Sequence, residues 1–169
     1  MFKFVEKENF LSNDLCDFFI TYHTNIGYDF KHRNTSVMSC ENQSLNGNIV
    51  FKILLKKLNF FAEENVKNTF VNYSQIVKWP KGEDQGEHID FDHHTYTSIL
   101  YLNDDYEGGQ TVVGDKIIEP KKGKIIFFNG NEIKHKVLPI TSGTRYTNPT
   151  WYITQTEEGV LNGRTNYNN

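Results

Sequence analysis

Residues 69–103 read TFVNYSQIVKWPKGEDQGEHIDFDHHTYTSILYLN and decide the fold, because apolar and polar residues begin to alternate here with a period of two. Side chains alternate in this way along β-strands. From this point on, turn signals rich in Gly, Asn, Asp and Pro separate short strand candidates, which lie at 69–79, 87–90, 95–102, 110–113, 116–119, 123–128, 134–140 and 145–154. About eight short strands at this spacing indicate a jelly roll (double-stranded β-helix) or a sandwich.

The residues before this stretch predict two helices that flank the sheet. Residues 12–23 form an amphipathic pattern that begins at Ser12, a good N-cap residue. A second helical pattern runs from about 49 to 65, with one apolar stripe and one lysine-rich side. Between them, residues 24–48 are polar and predict an irregular segment with one short strand near 35–40. This segment is also a candidate lid over a substrate.

These patterns predict one mainly β domain over residues 1–156. Its helices lie mainly within 12–65 and pack outside a jelly roll that covers 69–154. The polar, Asn-rich residues 157–169 predict a flexible tail.

Composition limits the classes of function that remain. The net charge is −3 without a dense Lys/Arg run, so we expect no nucleic-acid partner. No apolar run approaches the roughly 18 residues of a membrane span, and the N-terminus lacks the apolar core of a signal peptide. Two cysteines among 169 residues do not form a disulfide framework. We therefore expect a cytoplasmic protein, and the richness in Asn, Lys, Ile and Phe suggests a microbial or viral source.

The segment His88-Ile89-Asp90 is the first candidate for metal ligands. On a strand, residues i and i+2 face the same side, so the imidazole and the carboxylate would lie side by side. His135 is the one histidine beyond residue 94, which makes it the candidate for a third ligand. Two imidazoles and one carboxylate hold Fe(II) while leaving open positions, so this set predicts an iron site. Asp92 is an alternative carboxylate, four residues from His88.

Arg145, ten residues after His135, is a candidate anchor for a dicarboxylate. Its guanidinium is always charged and presents a planar fork of donors that matches a carboxylate in a bidentate way.

In their order along the chain, these residues and their surroundings resemble the prolyl-4-hydroxylase-like branch of the Fe(II)- and 2-oxoglutarate-dependent dioxygenases. The resemblance covers roughly 71–151. It consists of the strand 74–79 leading into the His-x-Asp pair, the segment Thr97-Ser98-Ile99-Leu100-Tyr101-Leu102-Asn103, the turn Gly108-Gly109-Gln110-Thr111, the strand 122–128 before His135, and Gly143-Thr144-Arg145-Tyr146 followed by Trp151. It implies a jelly roll that uses Fe(II), 2-oxoglutarate and O₂, with ascorbate as a further candidate cofactor.

The resemblance also assigns roles to residues. Arg145 and Tyr101 would hold the C5 carboxylate of 2-oxoglutarate, and Thr147, on the same strand face as Arg145, would assist. Trp79 stands where many relatives carry a tyrosine. Because its indole cannot accept a hydrogen bond, we expect it to form a wall of the cleft.

Four residues outside these roles carry weaker expectations. Asp92, His93 and His94 crowd one loop, where they are either solvated polar residues or the lip of the substrate cleft. Pro149 lies within a predicted strand and lacks an N–H, so we expect a bulge or a sheet edge there.

The function implied is hydroxylation of a substrate, with a prolyl or other peptide side chain as first candidate, and with release of succinate and CO₂. A free amino acid or another small molecule is an alternative substrate. A jelly-roll binding module without enzymatic activity, and a metalloenzyme that does not use 2-oxoglutarate, are alternatives of other classes. A nucleic-acid demethylase is disfavoured, because that branch has a second Arg six residues after the first and here the position is Trp151. The oligomeric state stays open.

Overall fold

The computed structural model describes residues 4–155, so the predicted tail lies outside the described part of the chain. Within these residues lie the helices α1 (Asn13–Ile26), α2 (Gln43–Asn46) and α3 (Ile49–Asn65). The strands are β1 (Phe4–Lys7), β2 (Phe30–His32), β3 (Thr35–Ser39), β4 (Thr69–Pro80), β5 (Gln85–His88), β6 (Tyr96–Tyr101), β7 (Glu107–Gly108), β8 (Thr111–Val113), β9 (Lys116–Ile118), β10 (Ile125–Phe128), β11 (His135–Val137), β12 (Ile140–Ser142) and β13 (Thr144–Thr154). The element types after residue 68 agree with the predicted strands.

The strands form a larger and a smaller antiparallel sheet. Seven strands pair in the order β1-β10-β6-β13-β4-β3-β2, and four pair in the order β5-β11-β8-β9. A short third pairing joins β7 to β12. This arrangement agrees with the predicted jelly roll with flanking helices.

The larger sheet has a hydrophobic core on each of its two faces, and strand β10 contributes side chains to both. Its four residues are all fully buried, since alternate side chains enter different cores. Ile125 and Phe127 join the core beneath α1 and α3, whereas Ile126 and Phe128 join the core that includes Val113 of β8. The prediction that both early helices cover one face of a sheet is therefore confirmed.

Helix α1 begins after the predicted N-cap Ser12, and α3 begins after Asn48, which caps it in the same way. The Ser12 hydroxyl accepts a hydrogen bond from the backbone N–H of Leu15, and Asn48 Oδ1 accepts from Val50 and Phe51. Side chains of α3, including Leu54 and Leu58, are buried against the larger sheet.

The N-terminal segments contribute more strands than the sequence predicts. Strand β1 pairs with β10 at one edge of the larger sheet. The short strand expected near 35–40 is confirmed as β3, whereas the expectation that the rest of 24–48 is irregular is wrong in part. Strand β2 pairs with β3, and this hairpin extends the other side of the larger sheet. These short strands gain their stability from neighbours distant in sequence, a pairing that local patterns do not encode.

Of the two alternatives expected at Pro149, a bulge or a sheet edge, the edge is wrong, because Pro149 lies in the middle of the larger sheet. The register of β13 against β4 shifts between Trp151 and Tyr152 rather than at Pro149. Strand β13 pairs with β4 on one side and β6 on the other, but no β4 pair involves Asn148 or Pro149. The Asn148 side chain donates to the Gln75 carbonyl at 2.6 Å and to Ser74 Oγ at 2.9 Å. The Asn148 side-chain amide therefore donates to the Gln75 carbonyl of β4, next to Pro149, which has no backbone N–H to donate.

Candidate metal centre and cleft

His88, Asp90 and His135 meet between the two sheets. Their candidate ligand atoms all lie within 4.8 Å of one another. His88 Nε2 is 3.9 Å from Asp90 Oδ1, and His135 Nε2 is 3.7 Å from Asp90 Oδ2. The two histidines are direct partners in the pairing of β5 with β11. Residues 47 positions apart in sequence are therefore brought together by strand pairing.

Asp90 reaches this site by a different route from the one predicted. Strand β5 ends at His88, so the predicted strand 87–90 is wrong at its C-terminal end. The Asp90 backbone N–H instead donates to the Gly130 carbonyl at 2.9 Å, and the Thr97 hydroxyl donates a short hydrogen bond to Asp90 Oδ2. These contacts, rather than strand alternation, direct the carboxylate towards both imidazoles.

Backbone carbonyls fix the orientation of both imidazoles. His88 Nδ1 lies 2.8 Å from the Gly86 carbonyl, and His135 Nδ1 lies 2.9 Å from the Ile133 carbonyl. An Nδ1–H that donates to a carbonyl leaves Nε2 as the lone-pair nitrogen, and Nε2 is the atom that faces Asp90. Burial lowers the pKa of His135, which keeps this imidazole neutral, although Ile133 and Asp90 partly oppose the effect.

The three side chains fit a divalent metal ion. Ligands bound at about 2.1 Å lie roughly 3–3.5 Å apart on one ion, so small inward movements of the observed groups suffice. The donor set of two imidazoles and one carboxylate is the one that holds Fe(II) on one face of its coordination sphere. His88, Asp90 and His135 all line a cleft of about 600 Å³, which would leave room beside a bound ion for further ligands.

Arg145 and Tyr101 form a buried polar cluster next to this cleft. Arg145 is only 1% exposed, and Tyr101 is fully buried. The hydroxyl of Thr111 accepts hydrogen bonds from Tyr101 at 2.8 Å and from Arg145 Nη2 at 3.1 Å. Sequence reasoning missed Thr111, although the Gly-Gly-Gln-Thr turn that contains it was a recognisable signal.

The Arg145 guanidinium lacks a counter-ion. Among residues 4–155, no carboxylate lies within ion-pair distance of it, and its Nε is buried without a hydrogen-bond partner. A buried, permanently charged group without compensation is costly, so a site of this kind is suited to an anionic ligand.

Trp79 and Thr147 separate Arg145 from the open cleft. Trp79 lines the cleft, and its ring lies 5.3 Å from the Arg145 guanidinium carbon. Its Nε1 donates to the Thr147 hydroxyl at 3.2 Å. Thr147 therefore lies beside the predicted anchor, and its own hydroxyl hydrogen stays available for a ligand.

Asp92 and His93 do not enter the cleft. Both are exposed, whereas the neighbouring His94 is buried and lines the cleft region together with Trp151. Asn72 Nδ2 lies 3.1 Å from His94 Nε2 and directs this ring inwards. Burial lowers the pKa of His94 to about 4. In a turn without regular periodicity, no sequence pattern distinguishes His94 from His93.

The hairpin of β2 and β3 forms another wall of the cleft. Phe30, His32, Thr35 and Val37 contribute to the lining. Asn34, at the hairpin turn, donates to buried Glu83 at 2.8 Å, and Arg33 pairs with Asp84 at 2.8 Å. The segment considered as a lid is thus linked to the connection between β4 and β5.

Comparison with known proteins agrees with this geometry. Residues 71–153 match the family model described as the 2OG-Fe(II) oxygenase superfamily. The chain is 34% identical over 102 residues to the 2-oxoglutarate and iron-dependent oxygenase domain-containing protein 3 of Rattus norvegicus. That match covers 56% of this chain and 31% of the relative, so the chain spans about a third of the curated relative.

Solved structures share the fold at lower identity. The viral collagen prolyl hydroxylase of Paramecium Bursaria Chlorella virus-1, solved as a 2OG complex, aligns with a TM-score of 0.73 and 22% identity over 90% of this chain and 96% of that chain. The Pseudomonas putida prolyl-4-hydroxylase aligns with a TM-score of 0.68 and 17% identity over 92% and 95% of the two chains.

No helix among the described residues is both long and apolar enough to cross a membrane.

The family match includes the strands that carry His88 and His135, the segment of Asp90 and the part of β13 that carries Arg145. Residues 71–153, which hold the metal-binding set and Arg145, belong to the 2OG-Fe(II) oxygenase superfamily.

Proposed function

We propose that this protein is an Fe(II)- and 2-oxoglutarate-dependent dioxygenase that hydroxylates its substrate and releases succinate and CO₂. The observation that carries the proposal is the combination of a cleft-lining His88, Asp90 and His135 set with a buried Arg145 that has no counter-ion among residues 4–155. A binding module would need neither a metal-binding set nor an uncompensated cation next to it. A metalloenzyme without 2-oxoglutarate would not use Arg145.

Each group of residues has a separate task in this reaction. His88, Asp90 and His135 hold the metal through Nε2 and carboxylate oxygens, while the Gly86 and Ile133 carbonyls keep the imidazoles in register. Arg145 binds the distal carboxylate of 2-oxoglutarate, next to the hydroxyls of Tyr101 and Thr111. Bound Fe(II) would activate O₂, which is the oxidant, and the decarboxylation of 2-oxoglutarate would supply two electrons, so that one oxygen atom of O₂ ends in succinate and the other in the hydroxylated product.

The walls of the cleft keep the reacting groups away from bulk water. Val137 and Ile99 are buried apolar residues of its lining, and Trp79 covers the polar cluster. Low solvent access strengthens the interaction of Arg145 with a carboxylate.

For the substrate, we propose a prolyl or other peptide side chain. The cleft has aromatic side chains on several elements, including Phe30, Trp79, Phe91 and Trp151, and two of them, Phe30 and Phe91, are exposed at its rim. Exposed aromatic walls on both sides of the metal site suit an extended chain that continues beyond the reacting residue, and proline rings pack well on such surfaces. The family's solved prolyl hydroxylases support the same choice.

The test uses three single variants, His88→Ala, Asp90→Ala and His135→Ala. We expect each to remain folded and to lose both Mn(II) binding, measured by calorimetry, and succinate formation from 2-oxoglutarate. Retained turnover in all three variants would refute the proposal. A screen of proline-containing peptides against free proline then distinguishes the peptide substrate from a free amino acid, because only the true substrate accelerates succinate release.

A further inference from the structure

Tyr106 lies in the connection after β6, which is fixed onto the strand that carries Arg145. Asn103 Nδ2 donates to the Thr144 carbonyl at 2.8 Å, and the Tyr146 backbone N–H donates to Asn103 Oδ1 at 2.7 Å. Gly143 makes room for this arrangement, since a Cβ there would lie 3.0 Å from Tyr106 Cβ. Tyr106 is thus held against Gly143, which lies two positions before Arg145 at the start of β13.

The orientation of Tyr106 is the reverse of the usual one. A tyrosine at a protein surface normally buries its ring and presents its hydroxyl to water. Here the residue as a whole is only partly buried, yet its hydroxyl oxygen is buried and has no hydrogen-bond partner among the described residues. A buried, unpartnered hydroxyl costs free energy, which a ligand with an acceptor at this point would recover.

The surroundings of this hydroxyl indicate which ligand would do so. A Cβ placed on Gly109 would lie 3.1 Å from Tyr106 Cε2 and 3.2 Å from Arg145 Cδ, so the phenol ring and the arginine stem flank the same glycine. Burial raises the pKa of Tyr106, an effect that the charge of Arg145 and a close polar contact with its side chain partly oppose, and the phenol stays a neutral donor at neutral pH. Because a guanidinium has no acceptor to offer, the Tyr106 O–H and the Arg145 Nε–H are two neighbouring buried donors without an acceptor.

We propose that Tyr106 is a further binding residue for the co-substrate, whose hydroxyl donates a hydrogen bond to the distal carboxylate of 2-oxoglutarate beside Arg145. The inference rests on the proposed function, since it requires that 2-oxoglutarate binds at this cleft. A carboxylate is the acceptor that satisfies a cation and a phenol together, and one of its oxygens can serve each donor.

The test is calorimetric binding of 2-oxoglutarate to the Mn(II)-loaded full chain, for the wild type and Tyr106→Phe. We expect the variant to bind 2-oxoglutarate about ten- to a hundredfold more weakly, the effect of losing one hydrogen bond to a charged group. Pyruvate, which has the same chelating end but no distal carboxylate, should bind both proteins equally. Without ligand, Tyr106→Phe should melt at the wild-type temperature or above it, because the hydroxyl it removes has no partner.

Tyr152→Phe is the matched control. It removes another buried tyrosine hydroxyl, which bonds to Ser98 Oγ at 2.8 Å in the core beneath the helices, and it should bind 2-oxoglutarate as the wild type does. Equal 2-oxoglutarate affinity of Tyr106→Phe and the wild type would overturn the inference, as would an equal loss for pyruvate. If the wild type bound neither keto acid, the proposed function and this inference would both fail.

Discussion

Gly130 offers a demanding test of how the carboxylate of the metal site is held. Its backbone carbonyl accepts from Asp90, and a Cβ at this position would overlap Asp90 Oδ2 and Thr97 Oγ1 and approach Thr97 Cβ to 2.9 Å. Gly130 does not have a left-handed φ, so alanine is compatible with its backbone conformation. Any effect of Gly130→Ala therefore comes from contact with the Asp90 carboxylate and its Thr97 donor.

The size of the effect follows from that overlap. Restoring ordinary contact requires the carboxylate to move by about 1 Å, away from a position between both imidazoles. Disturbing the groups that orient a metal ligand typically lowers metal affinity about 10- to 100-fold. We therefore expect Gly130→Ala to bind Mn(II) with an affinity lowered to that extent, equivalent to about 1.4–2.7 kcal/mol.

The assay is Mn(II) titration by calorimetry, with circular dichroism to establish that the variant is folded. Gly86→Ala is the control, because a Cβ on this glycine of β5 meets nothing within 4 Å and the carbonyl that accepts from His88 is retained. Thr97→Val removes the donor to Asp90 at nearly constant volume and tests the same link without an overlap. Wild-type Mn(II) affinity in folded Gly130→Ala would refute the reasoning.

Two further predictions concern stability. Asn148→Ala should lower the free energy of unfolding by about 1–3 kcal/mol in urea denaturation, because it leaves the Gln75 carbonyl without its donor inside the sheet; an unchanged midpoint would show that Pro149 needs no such compensation. For His94, burial lowers the folded pKa to about 4, while the unfolded value is about 6.5. The unfolded chain thus binds the proton more readily, so the stabilisation is complete above about pH 6.5 and is lost as the pH falls towards 4. His94→Phe should reduce this loss between pH 7 and 5, and equal losses in both proteins would contradict the assignment.

Patterns with their own local signal were predictable from the sequence. The position of α3 follows from its apolar stripe, and β4 follows from its period of two. The three metal-binding candidates were recognisable because the ordered motifs around them restrict which His and Asp can meet. Arg145 was recognisable for the same reason, and the structure places it where an anion would compensate its charge.

Features that depend on distant contacts were not predictable. The hydrophobic pattern of β10 shows that it is buried, but it does not show that β1 pairs with it. Alternation along a strand predicts that Asp90 shares a face with His88. In the structure, the position of Asp90 depends instead on its contacts with Gly130 and Thr97. The inward hydroxyl of Tyr106 depends on Asn103 and Gly143, which belong to different segments of the chain.

The central claim is that the metal site and Arg145 together bind and consume 2-oxoglutarate. Its most direct test is succinate production from 2-oxoglutarate under air, after anaerobic loading with Fe(II) and without added substrate, in the wild type beside Arg145→Ala. The account predicts slow uncoupled turnover in the wild type that disappears in the variant, because the buried anchor of the distal carboxylate is lost. Equal turnover in both proteins would contradict the role of Arg145. No turnover in the wild type, together with no visible absorption band on adding 2-oxoglutarate to the anaerobic Fe(II) protein, would contradict the dioxygenase function itself.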